Sequence, residues 1–173
     1  DLFRGYTVYP DDNANTITVY SNTSVSIPSN SAISASLVSA ITAKAAGGHV
    51  FLGSNISTSN NSATGSASST DPQSMTLSGL TNREYLFVRG IAHEAAGTDT
   101  LTLTSGFSQF SGSGTTGGAG GTNMTFRGEW RIATTSSLTS APTWSGAGVN
   151  ASIYYTFYEV VTAGGKTYFI IVE

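Results

Sequence analysis

Residues 123–134 constrain the fold more than any other stretch, because apolar and polar residues alternate along them. Successive side chains of a β-strand point to opposite faces, so this alternation predicts a strand with one packed face and one solvated face. The packed parity holds Met124, Phe126, Gly128, Trp130 and Ile132. The solvated parity holds Thr125, Arg127, Glu129 and Arg131. We therefore expect the charged side chains of this strand to face water or a partner.

Further strands are predicted where apolar or alternating runs lie between turn-forming residues. These runs cover residues 6–9, 16–20, 50–56, 73–77, 83–94, 100–104, 151–161 and 167–172. Gly164 and Gly165 predict a hairpin that joins the last two strands. Many strands without a convincing long helix indicate an all-β protein. We predict an antiparallel β-sandwich or jelly-roll-like fold with an extended N-terminal arm.

The chain is predicted to divide into an arm and linker, residues 1–45, and a β-sandwich domain, residues 46–173. Residues 31–46 fit both helical spacing and one strand parity, and we favour a short helix there. The arm has too few apolar residues to fold alone, so we expect it to dock on a neighbouring subunit or on a particle. Residues 57–70 and 112–122 are predicted to be loops because small and polar residues dominate them.

Composition argues against several classes of function. Charged residues make up 10% of the chain and the net charge is −3, which argues against a nucleic-acid-binding surface. The chain has no cysteine, so disulfides, thiolate zinc sites and cysteine catalysis are excluded. No apolar run approaches the ~20 residues that a membrane helix needs. A sequence rich in serine, threonine and asparagine with few charges is typical of virus particles and extracellular assemblies, which is where we expect this protein.

Hydrolytic and zinc-dependent catalysis lack their sequence motifs. A catalytic serine would need a histidine base, and His49 and His93 are the two histidines of the chain. No Gly-x-Ser-x-Gly motif is present. His93 precedes Glu94, but Gly97 stands where a zinc protease would place its second histidine. We therefore expect no catalytic residue, no cofactor and no metal.

Two weaker possibilities remain at the level of sequence. Residues 11–15 place oxygen ligands at alternate positions as a calcium loop does, but Thr16 and Asn22 replace the expected glycine and glutamate. An ordinary Asx-rich turn is the preferred interpretation. A glycosidase would need two facing carboxylates, and the sequence does not place any two of its glutamates together. These glutamates are Glu84, Glu94, Glu129 and Glu159.

Aromatic and charged residues provide the candidate contact sites. A sugar-stacking platform would be formed by Trp144, Tyr154 and Tyr158. The alternative interpretation places such rings in the core or in a subunit interface, because both parities of the last two strands are apolar. The candidate interface consists of Arg127, Glu129, Arg131, Tyr154, Tyr158 and Phe169. The charged members would form a cross-strand ladder or contact a neighbouring subunit.

The run from Glu84 to Val160 resembles β-sandwich structural proteins of tailed-bacteriophage virions. The resemblance lies in Ile91-Ala92-His93-Glu94, the Thr/Leu strand at 100–104, the strand at 126–133, Thr143-Trp144-Ser145-Gly146 and Ala151-Ser152-Ile153-Tyr154. It implies a non-enzymatic capsid decoration, head-fibre or tail component. It also implies a homo-oligomer, with a trimer favoured, that binds other virion or surface-assembly proteins. The alternative is a carbohydrate-binding or adhesive module on a phage or cell surface.

Overall fold

A computed structural model gives the fold of the chain. The structure describes residues 2–8, 16–22, 45–53, 56–58, 63–64, 71–94, 99–114, 123–146, 148–159 and 167–172. For the strands at residues 2–8, 16–22, 56–58, 63–64 and 167–172 it describes the backbone alone. Among the described residues the regular structure is entirely β.

The strands range in length from two to twelve residues. They are β1 (Leu2–Val8), β2 (Thr16–Asn22), β3 (Ala45–Gly53), β4 (Ile56–Thr58), β5 (Ala63–Thr64), β6 (Met75–Leu77), β7 (Arg83–Glu94), β8 (Leu101–Thr102), β9 (Ser108–Gly114), β10 (Thr125–Thr135), β11 (Leu138–Ser140), β12 (Thr143–Trp144), β13 (Val149–Glu159) and β14 (Thr167–Val172). The alternating segment of the sequence is thus β10.

Ten of the described strands form one antiparallel sheet. Its order is β1-β2-β14-β3-β9-β10-β7-β13-β4, and β5 pairs with β13 beside β4. The sheet curls, because β1 and β2 at one end contact β13 near the other end. The described residues therefore confirm the all-β antiparallel class. No helix of the described part has the length and apolar character to cross a bilayer.

Strands β10, β7 and β13 form the centre of the sheet. Gly128 lies opposite Gly90, and Gly90 lies opposite Ile153, so the three strands share one register along their length. The inner face of these strands carries the larger apolar cluster, to which β3 and β9 contribute Phe51 and Phe110. The ring of Phe110 fills the space over Gly128, where a Cβ atom would lie 1.9 Å from the ring.

The outer face of the central strands is covered by two small antiparallel ribbons. One ribbon pairs β6 with β11, and the other pairs β8 with β12. Beneath the first ribbon, Met75 and Leu77 pack with Phe87 and Tyr154. Beneath the second, Leu101 and Trp144 pack with Ile91. The outer face of the central strands is therefore an interior surface.

The prediction of a hairpin between the last two strands is wrong. β14 pairs with β3 on one side and reaches β2 on the other, with Phe169 opposite Phe51. The two edges of β13 are occupied by β7 and by β4 with β5. Since both edges are used, the final strand pairs elsewhere in the sheet.

Other sequence predictions differ from the structure or fall outside it. Residues 57–70 were expected to be a loop, yet part of this segment pairs with β13 as β4 and β5. Gly112 to Gly114, expected to begin a loop, belong to β9. The expected helix at 31–46 lies outside the described residues except at Ala45 and Ala46, which are part of β3. The Asx-rich turn at 11–15 lies wholly outside them.

Candidate functional site

The polar side chains of the outer face are enclosed beneath the two ribbons. Strand register places them in rows that cross β10, β7 and β13, since directly paired residues share a face. One row holds Glu129, Arg89 and Tyr154, and the row at the end of the face holds Thr125, His93 and Asn150. All six side chains are buried. These two rows of ionisable and polar groups form the candidate site.

Arg89 is held by four hydrogen bonds to neutral groups. Its Nη1 donates to the main-chain oxygen and the hydroxyl of Ser140, both at 2.9 Å. Its Nη2 donates to the main-chain oxygen of Gln73 at 2.7 Å and to Ser152 Oγ at 2.9 Å. Arg89 therefore ties β7 to β11, to β13 and to the segment before β6.

Glu129 accepts hydrogen bonds from the same covering layer. Thr104 donates its main-chain N–H to Oε2 and its hydroxyl to Oε1, both at 2.8 Å. Ser140 Oγ donates to Oε1 at 2.5 Å. Ser140 thus bridges the two buried charges, and the carboxylate acts only as an acceptor, as an ionised group does.

The enclosure changes the acid–base properties of this row. Burial lowers the pKa of Arg89 to about 10, an effect that the negative charge of Glu129 opposes. Burial raises the pKa of the Tyr154 hydroxyl well above its ordinary value, and Glu129 acts in the same direction. Arg89 is still a cation and Tyr154 is still neutral at physiological pH. The row is therefore a fixed pair of charges beside a neutral phenol.

The row that contains His93 has a different chemistry. His93 Nε2 lies 3.1 Å from Asp99 Oδ2, and the imidazole stacks on the Trp144 indole with 4.4 Å between ring centroids and 12° between planes. Asp71 Oδ1 accepts the main-chain N–H of Trp144 at 2.8 Å. The absence of a side chain at Gly148 lets the backbone lie close to the His93 ring, since a Cβ at position 148 would be 2.7 Å from His93 Cε1. The histidine thus connects the central sheet to the β8–β12 ribbon.

Burial dominates the ionisation of His93. It lowers the pKa of the imidazole, while the hydrogen bond to Asp99 and the charges of Asp99, Asp71 and Glu94 act in the opposite direction. His49, the second histidine, packs against Phe51 at 4.6 Å and Trp130 at 5.8 Å between ring centroids. Partial burial lowers its pKa as well. Both histidines are consequently neutral at physiological pH.

The polar groups of the two rows connect parts of the fold to one another, and their positions suit that role better than catalysis. Glu129 and Arg89 are closed off by protein groups, so neither presents an atom to a substrate. His93 and Asp99 resemble part of a hydrolytic triad, but the hydroxyl of the neighbouring Thr125 is buried and makes no hydrogen bond to the ring. No set of three or more metal-ligating side chains comes together within the described part of the chain.

The prediction that the charged parity of β10 is solvated is wrong. Glu129 is buried, and Arg127 and Arg131 are half-buried. Arg127 donates to the main-chain oxygens of Gly112 and Phe126. Arg131 rests its guanidinium against Gly106, whose φ of +81° belongs to the left-handed region. The covering ribbons, which the sequence of β10 does not reveal, exclude water from Glu129 and restrict its access to Arg127 and Arg131.

The structure buries two of the three proposed sugar-stacking aromatic side chains and half-buries the third. Tyr154 is buried, and Trp144 is 7% exposed with one face against His93. Tyr158 is half-buried, and the Arg83 guanidinium lies 4.7 Å from its ring centroid. The three rings therefore do not form an open platform. The side chain of Phe169, the remaining interface candidate, lies outside the described residues.

Sequence reasoning missed most of the residues that complete the enclosed site. Arg89 offers one recognisable signal, because it is a charged residue inside the long apolar strand 83–94 and such a residue requires a buried partner. Thr104, Ser140 and Ser152 carry no signal among so many serines and threonines.

Comparison with protein families, with curated proteins and with solved structures finds no significant match. The geometry of this chain is therefore the basis on which its function is inferred.

Proposed function

We propose that this chain is a non-enzymatic structural protein of a virus particle or an extracellular assembly, in which it forms homo-oligomers. The observation that carries the proposal is the closure of the Arg89–Ser140–Glu129 centre by the protein itself. An enzyme places its charged groups where a substrate can reach them. Here the charged groups connect the central sheet to the segments that cover it. Such connections make the fold rigid, which suits a structural subunit.

The described surface adds a second supporting feature. Ile132 is a large apolar residue that is 54% exposed near the end of β10, and Arg131 lies beside it in sequence on the opposite face of the strand, so this strand end offers an apolar and a basic side chain. Interfaces between subunits combine apolar residues with arginine more often than the rest of a surface does. We propose that Arg127 and Arg131 contribute to a subunit contact. β1 and β2, which lie in the predicted arm, belong to the chain's own sheet, so the proposed contact does not depend on them. In this proposal the curled sheet with its ribbons is a form of the β-sandwich or jelly roll.

The oligomeric state tests this proposal. Sedimentation velocity over a hundredfold range of protein concentration should show a closed oligomer, with a trimer expected. The double variant Arg127→Ala, Arg131→Ala should weaken the oligomer, while Glu84→Ala, at an exposed position of β7, serves as the control. A monomer at every concentration, or equal behaviour of the two variants, would contradict the proposed contact.

A carbohydrate-binding module is the alternative, and a glycan array separates it from the structural role. Tyr158 is the candidate ring with the most accessible position, because Tyr154 and Trp144 are buried. Glycan binding that is lost in Tyr158→Ala would favour the alternative. The absence of glycan binding together with a stable oligomer would favour the structural role.

A further inference from the structure

The end of the outer face contains polar atoms that the protein leaves without hydrogen bonds. They are His93 Nδ1, Thr125 Oγ1 and Trp144 Nε1. His93 and Thr125 are essentially enclosed, and Trp144 is more than nine-tenths buried. A buried polar group without a hydrogen-bond partner destabilises the fold, so three such atoms at one place require an explanation.

The three atoms belong to side chains that adjoin one another. Thr125 lies directly opposite His93 across β10 and β7, which places their Cβ atoms about 4.5–5.5 Å apart on the same face. The Trp144 indole is stacked on the His93 ring. Neighbouring side chains whose polar atoms are not hydrogen-bonded to each other can be linked by a water molecule.

These three atoms include both hydrogen-bond donors and hydrogen-bond acceptors. Asp99 accepts from His93 Nε2, which makes Nε2 the protonated nitrogen of the neutral ring and leaves Nδ1 as an acceptor. The Trp144 indole N–H is only a donor, and the Thr125 hydroxyl can act as either. A ligand of this site must therefore donate and accept at the same time.

The need for a ligand that both donates and accepts hydrogen bonds favours water over ions. A metal cation needs several oxygen or nitrogen acceptors, and the described residues hold no such cluster. An anion would be repelled by Asp99, Asp71 and Glu94, the charged groups that act on His93. Water donates and accepts, and internal water typically makes about three hydrogen bonds to otherwise unpaired groups.

We propose that one internal water molecule is bound between His93 Nδ1 and Thr125 Oγ1, with the Trp144 indole N–H as its third partner. The water extends the Asp99–His93 hydrogen bond to β10. A chain of hydrogen bonds then connects Asp99, which precedes β8, to two central strands of the sheet. The water also holds His93 in the tautomer that donates from Nε2.

NMR spectroscopy of the intact chain tests the proposal. Long-range ¹⁵N–¹H spectra should show His93 protonated at Nε2 and unprotonated at Nδ1 at pH 7.5. Water-selective cross-relaxation experiments should show a long-lived water at the indole N–H of Trp144 and at the Thr125 hydroxyl. A His93 ring protonated at Nδ1, or no long-lived water at these groups, would overturn the proposal.

A matched pair of variants adds an independent measurement. Thr125→Val keeps the shape of the side chain and removes the hydroxyl, so the water signal at Trp144 should be lost. Thr102→Val makes the same change at an exposed position of β8 and should leave the signal intact. If Thr125→Val does not fold, a high-resolution crystal structure of the unmodified chain tests the water site instead. Density for a water within hydrogen-bonding distance of His93 Nδ1 and Thr125 Oγ1 supports the site, and a direct hydrogen bond between these two atoms refutes it.

Discussion

Glu129 lies directly opposite Arg89 across β10 and β7, and both side chains are completely buried. The hydroxyl of Ser140 lies between them, accepting from the guanidinium and donating to the carboxylate. Burying two charges is costly, and their attraction offsets that cost only when hydrogen bonds satisfy the remaining donors and acceptors. The Ser140, Thr104, Gln73 and Ser152 contacts provide those hydrogen bonds, and they connect the covering ribbon to the sheet.

Removing the hydroxyl of Ser140 should destabilise the fold. Ser140→Ala deletes the group that bridges Arg89 and Glu129, and leaves each charge with one partner fewer. A lost hydrogen bond to a buried charged group predicts a decrease of about 2–3 kcal/mol in the free energy of unfolding. Urea denaturation measures it. Ser137→Ala, at an exposed position of the turn before β11, is the control and should change the free energy by less than about 0.5 kcal/mol.

The two buried charges should show strong thermodynamic coupling. Arg89→Leu or Glu129→Leu alone leaves an uncompensated charge in the interior, so each should cost about 3–5 kcal/mol. The double variant removes both charges and should cost less than the sum of the two single variants, by up to about 3 kcal/mol. A double-mutant cycle by chemical denaturation measures this difference. Additive single effects would mean that Ser140 and Thr104, rather than the opposite charge, stabilise each group.

A methyl group at position 128 should disturb the inner core. A Cβ at Gly128 would lie 1.9 Å from Phe110 Cζ, so the ring must move in Gly128→Ala. Overpacking of this kind predicts a loss of about 1–3 kcal/mol. Thermal unfolding measures the effect. Adding Phe110→Leu should cost less in the Gly128→Ala background than in the unmodified chain, because the shorter side chain vacates the space over position 128.

Stability should decrease as the pH falls below the ordinary histidine pKa of 6.5. Burial lowers the pKa of His93 in the folded state, so above pH 6.5 neither the folded nor the unfolded chain binds this proton. Below pH 6.5 the unfolded chain binds it first, and stability is lost until the pH passes the lower folded-state pKa. One proton accounts for at most about 1.4 kcal/mol per pH unit.

Denaturation between pH 7.5 and 5.5 measures this dependence above the ordinary range of carboxyl groups. His93→Gln should reduce the slope, and His49→Gln should reduce it separately, since burial lowers the pKa of His49 too. A slope that is unchanged in His93→Gln would show that this imidazole is protonated equally in both states.

Sequence patterns predicted the long strands well because their signals are local. The alternation at 123–134 and the apolar run at 83–94 correspond to β10 and β7, and the mixture of apolar residues at 151–161 corresponds closely to β13. The same patterns misassigned the environment of Glu129. A polar parity predicts only that the side chains differ from those of the opposite face, whereas solvation depends on what covers them.

The sequence by itself determined the antiparallel β class of the part that the structure describes, and which residues share each face of its central strands. This follows because strand propensity and alternation act over neighbouring residues. Only the tertiary structure decided that the charged face is internal and that β14 pairs with β3 instead of β13. Arg89 meets Ser140 across 51 residues of sequence and Ser152 across 63. Such contacts depend on how separate ribbons pack on the sheet, and no local pattern of serines and threonines specifies that packing.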